Sequence, residues 1–228
     1  MKARDVCYWC GGEPTSRDHV PPRNLFPKHM RKDLETVPSC SKHNHDFKKL
    51  EERMRFYLQA GSESDVALSE FDATTIRSLE DPKAEGLVKR LFRGIRRIIL
   101  PGGESAQLRF EPSEYQLYFE KIARGLYYVQ RHQPFSESEC LIGFRQSFVA
   151  TPAMINFFNT FVPHFNSSPL LKIGRSPHPE IFRYRFIDTE SGAGHCFAIV
   201  MQFYKSTEAI AILHPKDLEQ KLGGFIAT

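Results

Sequence analysis

Between residues 41 and 58, Phe47, Leu50, Met54, Tyr57 and Leu58 recur at helical spacing while charged residues fill the other side. This pattern predicts an amphipathic helix. Gly61-Ser62-Glu63-Ser64-Asp65 interrupts the period and reads as a boundary between segments 1–60 and 61–228. A second helix is expected over residues 87–99. Leu87, Leu91, Ile95 and Ile98 line one side of it, and Lys89, Arg90, Arg93, Arg96 and Arg97 the other. Pro101-Gly102-Gly103 would end it. A third helix is expected over residues 112–132, with Tyr115, Tyr118, Phe119, Ile122, Leu126 and Tyr127 at helical spacing. The period then changes to two. Phe182-Arg183-Tyr184-Arg185-Phe186 alternates like a half-buried strand, residues 191–194 supply a turn, and residues 195–204 and 209–213 are rich in strand-forming types. Helices followed by antiparallel strands make the expected class α+β. No internal repeat or long low-complexity tract alters that picture.

Composition sharpens it in three ways. A chain of 228 residues with 41% hydrophobic and 12% aromatic content has ample material for a core, as one domain or as a small module joined to a larger one. A net charge of +4 suits a polyanionic partner but is far from a nucleic-acid-binding tail. No apolar run approaches a membrane span, and the start of the chain is charged and polar where a signal core would be apolar. A cytoplasmic, reducing setting is therefore expected. Three of the five cysteines fall in the first 44 residues. In such a setting they are expected to bind metal instead of forming disulfides, with Cys140 and Cys196 as buried thiols.

The candidate chemistry lies in that N-terminal stretch. Cys7-x-x-Cys10 and Cys40-x-x-His43 have the spacing of two halves of a structural zinc site. In each half a tight turn points two ligands at one ion, about 2.3 Å from each sulfur. His45 competes with His43 for the fourth position. The loop closed by the metal contains Arg17-Asp18-His19-Val20-Pro21-Pro22, and Asn44 follows the last ligand. Phosphodiester hydrolysis needs a base for water and a cation for the departing oxygen. A neutral imidazole at His19 suits the first role, and the oxygens of Asp18 and Asn44 suit a hard divalent ion for the second. An isolated Asp-His pair is common at surfaces and in cores; its position between the two zinc pairs is what singles it out.

Together these residues resemble the HNH endonuclease family, in its zinc-stapled form with a ββα-metal fold. In that pattern a Cys pair precedes Asp-His or Glu-His, and a second Cys pair is followed by His or Asn. The resemblance implies an N-terminal ββα-metal module with structural zinc on Cys7, Cys10, Cys40 and His43. It implies His19 as general base and Asp18 and Asn44 as ligands of catalytic magnesium or manganese. Two departures stand out: His43 replaces the usual last Cys, and the stretch Leu34-Glu35-Thr36-Val37-Pro38-Ser39 lacks the family's middle Asn. Glu35 or Thr36 would have to brace the loop in its place. The motif spans about a quarter of the chain. Asp18-His19-Val20-Pro21-Pro22, Leu25-Phe26-Pro27 and the stretch from Ile122 to Tyr128 further resemble uncharacterised bacterial HNH proteins of similar length.

The resemblance implies DNA as partner, held across its minor groove. Arg17, Arg23, Lys28, Lys42 and Lys48 are local candidates for phosphate contacts, and Lys89, Arg93 and Arg97, with Arg90 and Arg96, for a second basic face. Ordinary solvated charge explains each of these singly. The alternative function is a zinc-stapled nucleic-acid-binding module without catalysis. A homodimer would serve double-strand cutting, and the C-terminal region would suit a regulatory partner. Sequence preference and the choice between DNA and RNA depend on contacts outside the motif.

Overall fold

A computed structural model describes residues 5–93, 96–100, 103–107, 111–135, 138–145, 152–191 and 194–215. The expected turn at 192–193 and the Pro101-Gly102 stop lie outside the described residues. Two short strands come first: β1 (Ser16–His19) and β2 (Thr36–Ser39) pair antiparallel, with Asp18 opposite Val37 and His19 opposite Thr36. Helix α1 (Ser41–Asp46) follows at once, and α2 (Lys48–Ala60) continues after a one-residue break at Phe47. The single helix expected over 41–58 is thus two. The Phe47 ring packs on Trp9 and His43, so the break falls where the N-terminal turn meets the helix. Leu50, Met54, Tyr57 and Leu58 are buried, as their spacing predicts.

Helix α3 (Asp65–Glu70), a π-helical stretch (Phe71–Ile76), α4 (Arg77–Leu79) and α5 (Glu85–Leu91) form a run of short helical turns. The helix expected over 87–99 is corrected here. Helix α5 ends at Leu91, and β3 (Arg96–Leu100) pairs with β4 (Gly103–Gln107) as a hairpin. Adjacent β-branched Ile98 and Ile99 favour the extended chain. Lys89, Arg90, Arg93, Arg96 and Arg97 therefore do not share one helical face.

Helix α6 (Pro112–Arg131) matches its expectation, with Pro112 in its first turn, where a missing N–H costs nothing. Strand β5 (Ser138–Arg145), helix α7 (Pro152–Asn166) and strands β6 (Lys172–Ile173), β7 (Phe182–Ser191), β8 (Gly194–Phe203) and β9 (Thr207–Pro215) complete the fold. The five strands form one antiparallel sheet in the order β5-β9-β8-β7-β6. Mixed α+β content with an antiparallel sheet is what the change of period predicts.

The two-residue period divides the sheet between two cores. Phe197, Ile199, Met201 and Phe203 of β8 join Ala209, Ala211 and Leu213 of β9 in a cluster with Tyr118, Phe119, Ile122 and Leu126 of α6. The alternating Val200 and Ile210 instead meet Phe158 and Phe165 of α7. The larger cluster also holds Tyr8, Val20, Leu25, Val37, Leu50 and Met54, so the N-terminal ribbon and the sheet share α6 as a common support. Hydrogen bonds lock that union. Tyr204, at the β8–β9 turn with φ 48°, donates to the Leu25 carbonyl at 2.5 Å and accepts from Gln59 Nε2 at 3.2 Å. The Ser62 hydroxyl, just past the break at Gly61, donates to the Tyr204 carbonyl.

Candidate metal centre and adjoining cleft

Cys7 and Cys10 sit in a tight turn. The Cys7 N–H donates to the Gly12 carbonyl, and Gly11, at φ 72°, returns its N–H to the Cys7 carbonyl. A left-handed residue there suits glycine. Cys40 precedes α1 in an extended conformation, and the Asn44 N–H donates to its carbonyl as the helix begins. One ligand atom each from Cys7, Cys10, Cys40 and His43 lies within 4.8 Å of the others. Four ligands on a tetrahedral zinc would stand about 3.8 Å apart, so a small contraction closes the cluster. His43 Nδ1 is 3.2 Å from Cys40 Sγ and 3.7 Å from Cys7 Sγ. Burial raises the Cys7 thiol pKa, but backbone N–H groups at Cys10, Cys40 and Trp9, with His43, outweigh it and bring it to about 6. That favours the thiolate a metal requires. The group can hold a metal ion such as zinc. Exposed His45 is not in it, which leaves His43 as the fourth ligand. Cys140 and Cys196 are partly buried thiols with raised pKa values, chiefly from burial.

The cluster fixes α1 against the ribbon. Asn44 Nδ2 donates to Ser16 Oγ at 2.9 Å, which places Asn44 beside β1. Arg17 spans the ribbon, donating from Nε and Nη2 to the Thr36 hydroxyl and carbonyl at 2.8 Å each. The Val20 N–H donates to the Glu35 carbonyl at 3.0 Å. The Glu35 carbonyl thus holds the chain just after His19, and Thr36 holds Arg17 just before it. Past His19, Val20 presses on α6 at Gly125. A Cβ there would stand 2.5 Å from a Val20 methyl, so only glycine permits this approach.

Neighbours on β1 point opposite ways. Asp18 is buried, and its Oδ2 accepts from the Tyr8 hydroxyl at 3.1 Å and lies 2.9 Å from Lys121 Nζ. Lys121, on α6, is wholly buried and also pairs with Glu51 of α2. One ammonium therefore serves two carboxylates from separate elements. Burial raises the Glu51 pKa, with Lys121 opposing, and raises that of Tyr8 far above its ordinary value, with Asp18 adding to the rise. His19 is half-buried. Burial first, then the charge of Arg23, holds its pKa below 6.5, while Asp18 works the other way. A lowered value leaves the imidazole neutral at neutral pH, able to accept a proton.

A cleft of about 650 Å³ opens on this surface. Asp18, His19 and Asn44 line it together with Arg17, Arg23 and Lys48. Glu51, Glu52 and Arg55 of α2, with Ser78, Asp81, Lys83 and Leu87, are also among its lining residues. Lys28, Lys42, Lys89, Arg93 and Arg97 are exposed but are not among its lining residues. Lys89 instead pairs with Glu85 at 2.6 Å. Lys121, Tyr8 and Arg55 escaped the sequence reading. A helical pattern gives the side on which a lysine lies but not the carboxylate it meets across the fold. The one signal was Lys121 interrupting the apolar side of α6.

No family model, characterised protein or solved structure matches the chain. Among the described residues, no helix is long and apolar enough to cross a membrane.

Proposed function

We propose that the chain is an HNH-type, metal-dependent endonuclease acting on DNA, with its active site in the cleft beside the Cys/His cluster. The observation that carries this reading is the convergence of Asp18, His19 and Asn44 on one cleft, on a two-strand, one-helix frame joined by four metal-ligating side chains. Two oxygen ligands fit a hard divalent ion that keeps several waters. Asn44 uses its Nδ2 on Ser16, and both contacts of Asp18 fall on Oδ2, so Asn44 Oδ1 and Asp18 Oδ1 are the atoms assigned to the ion. Bound there, magnesium or manganese would supply Lewis-acid stabilisation of the scissile phosphate and departing oxygen.

The chain's own residues do the rest. His19, neutral at working pH, takes the proton from the attacking water. Lys121 and Tyr8 fix the Asp18 carboxylate from behind. Arg23 and Lys48 neutralise phosphates flanking the scissile one. The zinc cluster has a structural part: it sets Asn44 against β1. The test is cleavage of supercoiled plasmid by wild type and His19→Ala in magnesium, in manganese or with neither added. Loss of activity in the variant, with zinc retained, is the expected result; full-rate hydrolysis by the variant removes His19 from the role of base.

A second reading, a zinc-stapled nucleic-acid-binding module without catalysis, draws on the Lys121–Asp18 ion pair. A buried ammonium on a carboxylate weakens it as a ligand for a second cation. Under that reading, wild-type protein containing zinc binds DNA and cuts none in either metal.

A further inference from the structure

Several arginines of the fold pair with carboxylates, Arg53 with Glu114, Arg124 with Glu120, Arg131 with Asp188 and Arg145 with Glu208, while Arg17 and Arg185 bond to neutral oxygens at the exposed surface. Arg55, one turn beyond Glu51 on α2, has no carboxylate partner among the described residues. Its hydrogen bond runs from Nη2 to Ser78 Oγ at 3.1 Å, and Ser78 Oγ is fixed in turn by donating to the Thr75 carbonyl at 2.7 Å. Arg55 Nε is shut off from solvent without a partner. Burial works against the charge and lowers its pKa, with Tyr204, Glu52 and Glu70 opposing and Arg31 adding to the effect. None of those carboxylates forms an ion pair with it. Buried charge is normally paired, and a desolvated guanidinium is the group best suited to bind phosphate through a fork of donors.

Its place in the cleft suggests the ligand. Lys48, Glu51, Glu52 and Arg55 recur at spacings of three and four and face the cleft from one side of α2. From Lys48 to Arg55 the helix rises about 10 Å. A DNA strand advances about 3.4 Å per nucleotide, so that rise matches about three nucleotides. Asn44 lies four residues before Lys48 at that end of the helices, and His19 and Lys83 also line the opening. Glu51, Glu52 and Asp81 also line the wall; Glu51 is committed to Lys121 and Asp81 accepts the Lys83 backbone N–H, which leaves Glu52 as the carboxylate the strand must pass.

We propose that Arg55, oriented by Ser78, forms a second phosphate subsite that takes a phosphodiester about three nucleotides from the one at Lys48. This deepens the nuclease reading and rests on it. The substrate strand runs along α2 toward the helical turns of residues 65–91, and that segment positions nucleic acid as part of the site.

The test is binding of a fluorescently labelled short DNA duplex by zinc-loaded wild type, Arg55→Gln and Ser78→Ala across a salt series, without added magnesium, manganese or chelator, which separates binding from cleavage. Arg55→Gln should weaken binding about ten-fold and reduce the salt slope by about one, as loss of one phosphate contact does. Ser78→Ala should weaken it about two- to three-fold, by releasing the guanidinium. Melting temperature and zinc content should hold or rise in Arg55→Gln, because the charge it removes has no carboxylate partner. Unchanged affinity and salt slope would overturn the subsite while leaving plasmid cleavage free to succeed. A fall in melting temperature with the salt slope unchanged would overturn it too, making Arg55 a structural residue. A wild type that binds no duplex and cuts no plasmid would sink both the subsite and the nuclease reading.

Discussion

Lys121 is the residue on which the site's geometry depends most. Its ammonium is sealed inside the fold between Asp18 and Glu51, with its side chain 1% exposed. Removing one member of a buried ionic group leaves the remaining charges uncompensated, a loss of about 3–5 kcal/mol. Lys121→Met should therefore lower stability by about 3 kcal/mol in urea unfolding and abolish any activity that depends on Asp18. A change below about 0.5 kcal/mol would show that the carboxylates are solvated and the pairing is incidental. His19 makes a separate prediction, through pH. Burial and Arg23 lower its pKa, so protonation disables it only in acid. Cleavage should rise with pH through a midpoint below 6.5 and level off above it; an acid limb centred above 6.5 would mean that some other group titrates. The Asp-His pair was legible in the sequence because the flanking Cys/His spacings frame it. Lys121 and Arg55 were not. Each depends on a partner brought in from a distant element, and no local pattern records such a contact.

At the level of elements, the two Cys/His turns hold together strands that could not persist alone. Strands β1 and β2 have four residues each and, among the described residues, form a two-stranded sheet of their own, and an isolated two-stranded ribbon is marginal in water. Removing the ion with a chelator, or substituting Cys40→Ala, should free α1 and the ribbon and take zinc from about one per chain toward zero. The sheet would keep its α6 and α7 packing, so far-UV circular dichroism should fall only in part. Complete unfolding on chelation would make the metal the nucleus of the whole fold. Periodicity predicted α6 and β7–β9 because their apolar spacing runs unbroken over many residues. It failed at residues 87–99. Leu87, Leu91, Ile95 and Ile98 fit a helix by spacing, but paired β-branched residues and a strand partner decided otherwise. Helix α7 went unpredicted: Phe157, Phe158, Phe161 and Phe165 wrap round more than one side of it, and Pro163 lies inside.

Across the whole molecule, one core links the N-terminal ribbon to the C-terminal sheet. Val20 rests on Gly125, Leu25 is bonded to Tyr204, and Asp18 meets its counter-charge on α6. A fragment of residues 1–60 would expose Leu25, Leu50 and Met54 and leave Asp18 without Lys121. With zinc it should show poorly dispersed amide resonances and no plasmid cleavage; a well-folded fragment as active as the full chain would make the remainder an addition to a self-sufficient unit. The sequence boundary near residue 61 reflects a real turn, yet helical and strand periods cannot tell whether two segments share a core. That depends on side chains such as Gly125 and Tyr204, whose spacing carries no such mark. The proposed function stands on His19, Asp18 and Asn44 forming a hydrolytic site on a zinc-held frame. Its most direct test is supercoiled-plasmid cleavage by wild type and His19→Ala in magnesium, in manganese and with neither added, with zinc measured on the same samples. The expected result is nicking that needs the divalent ion and vanishes in the variant while zinc stays bound. Cleavage undiminished in the variant, or none by zinc-loaded wild type in either metal, would contradict it.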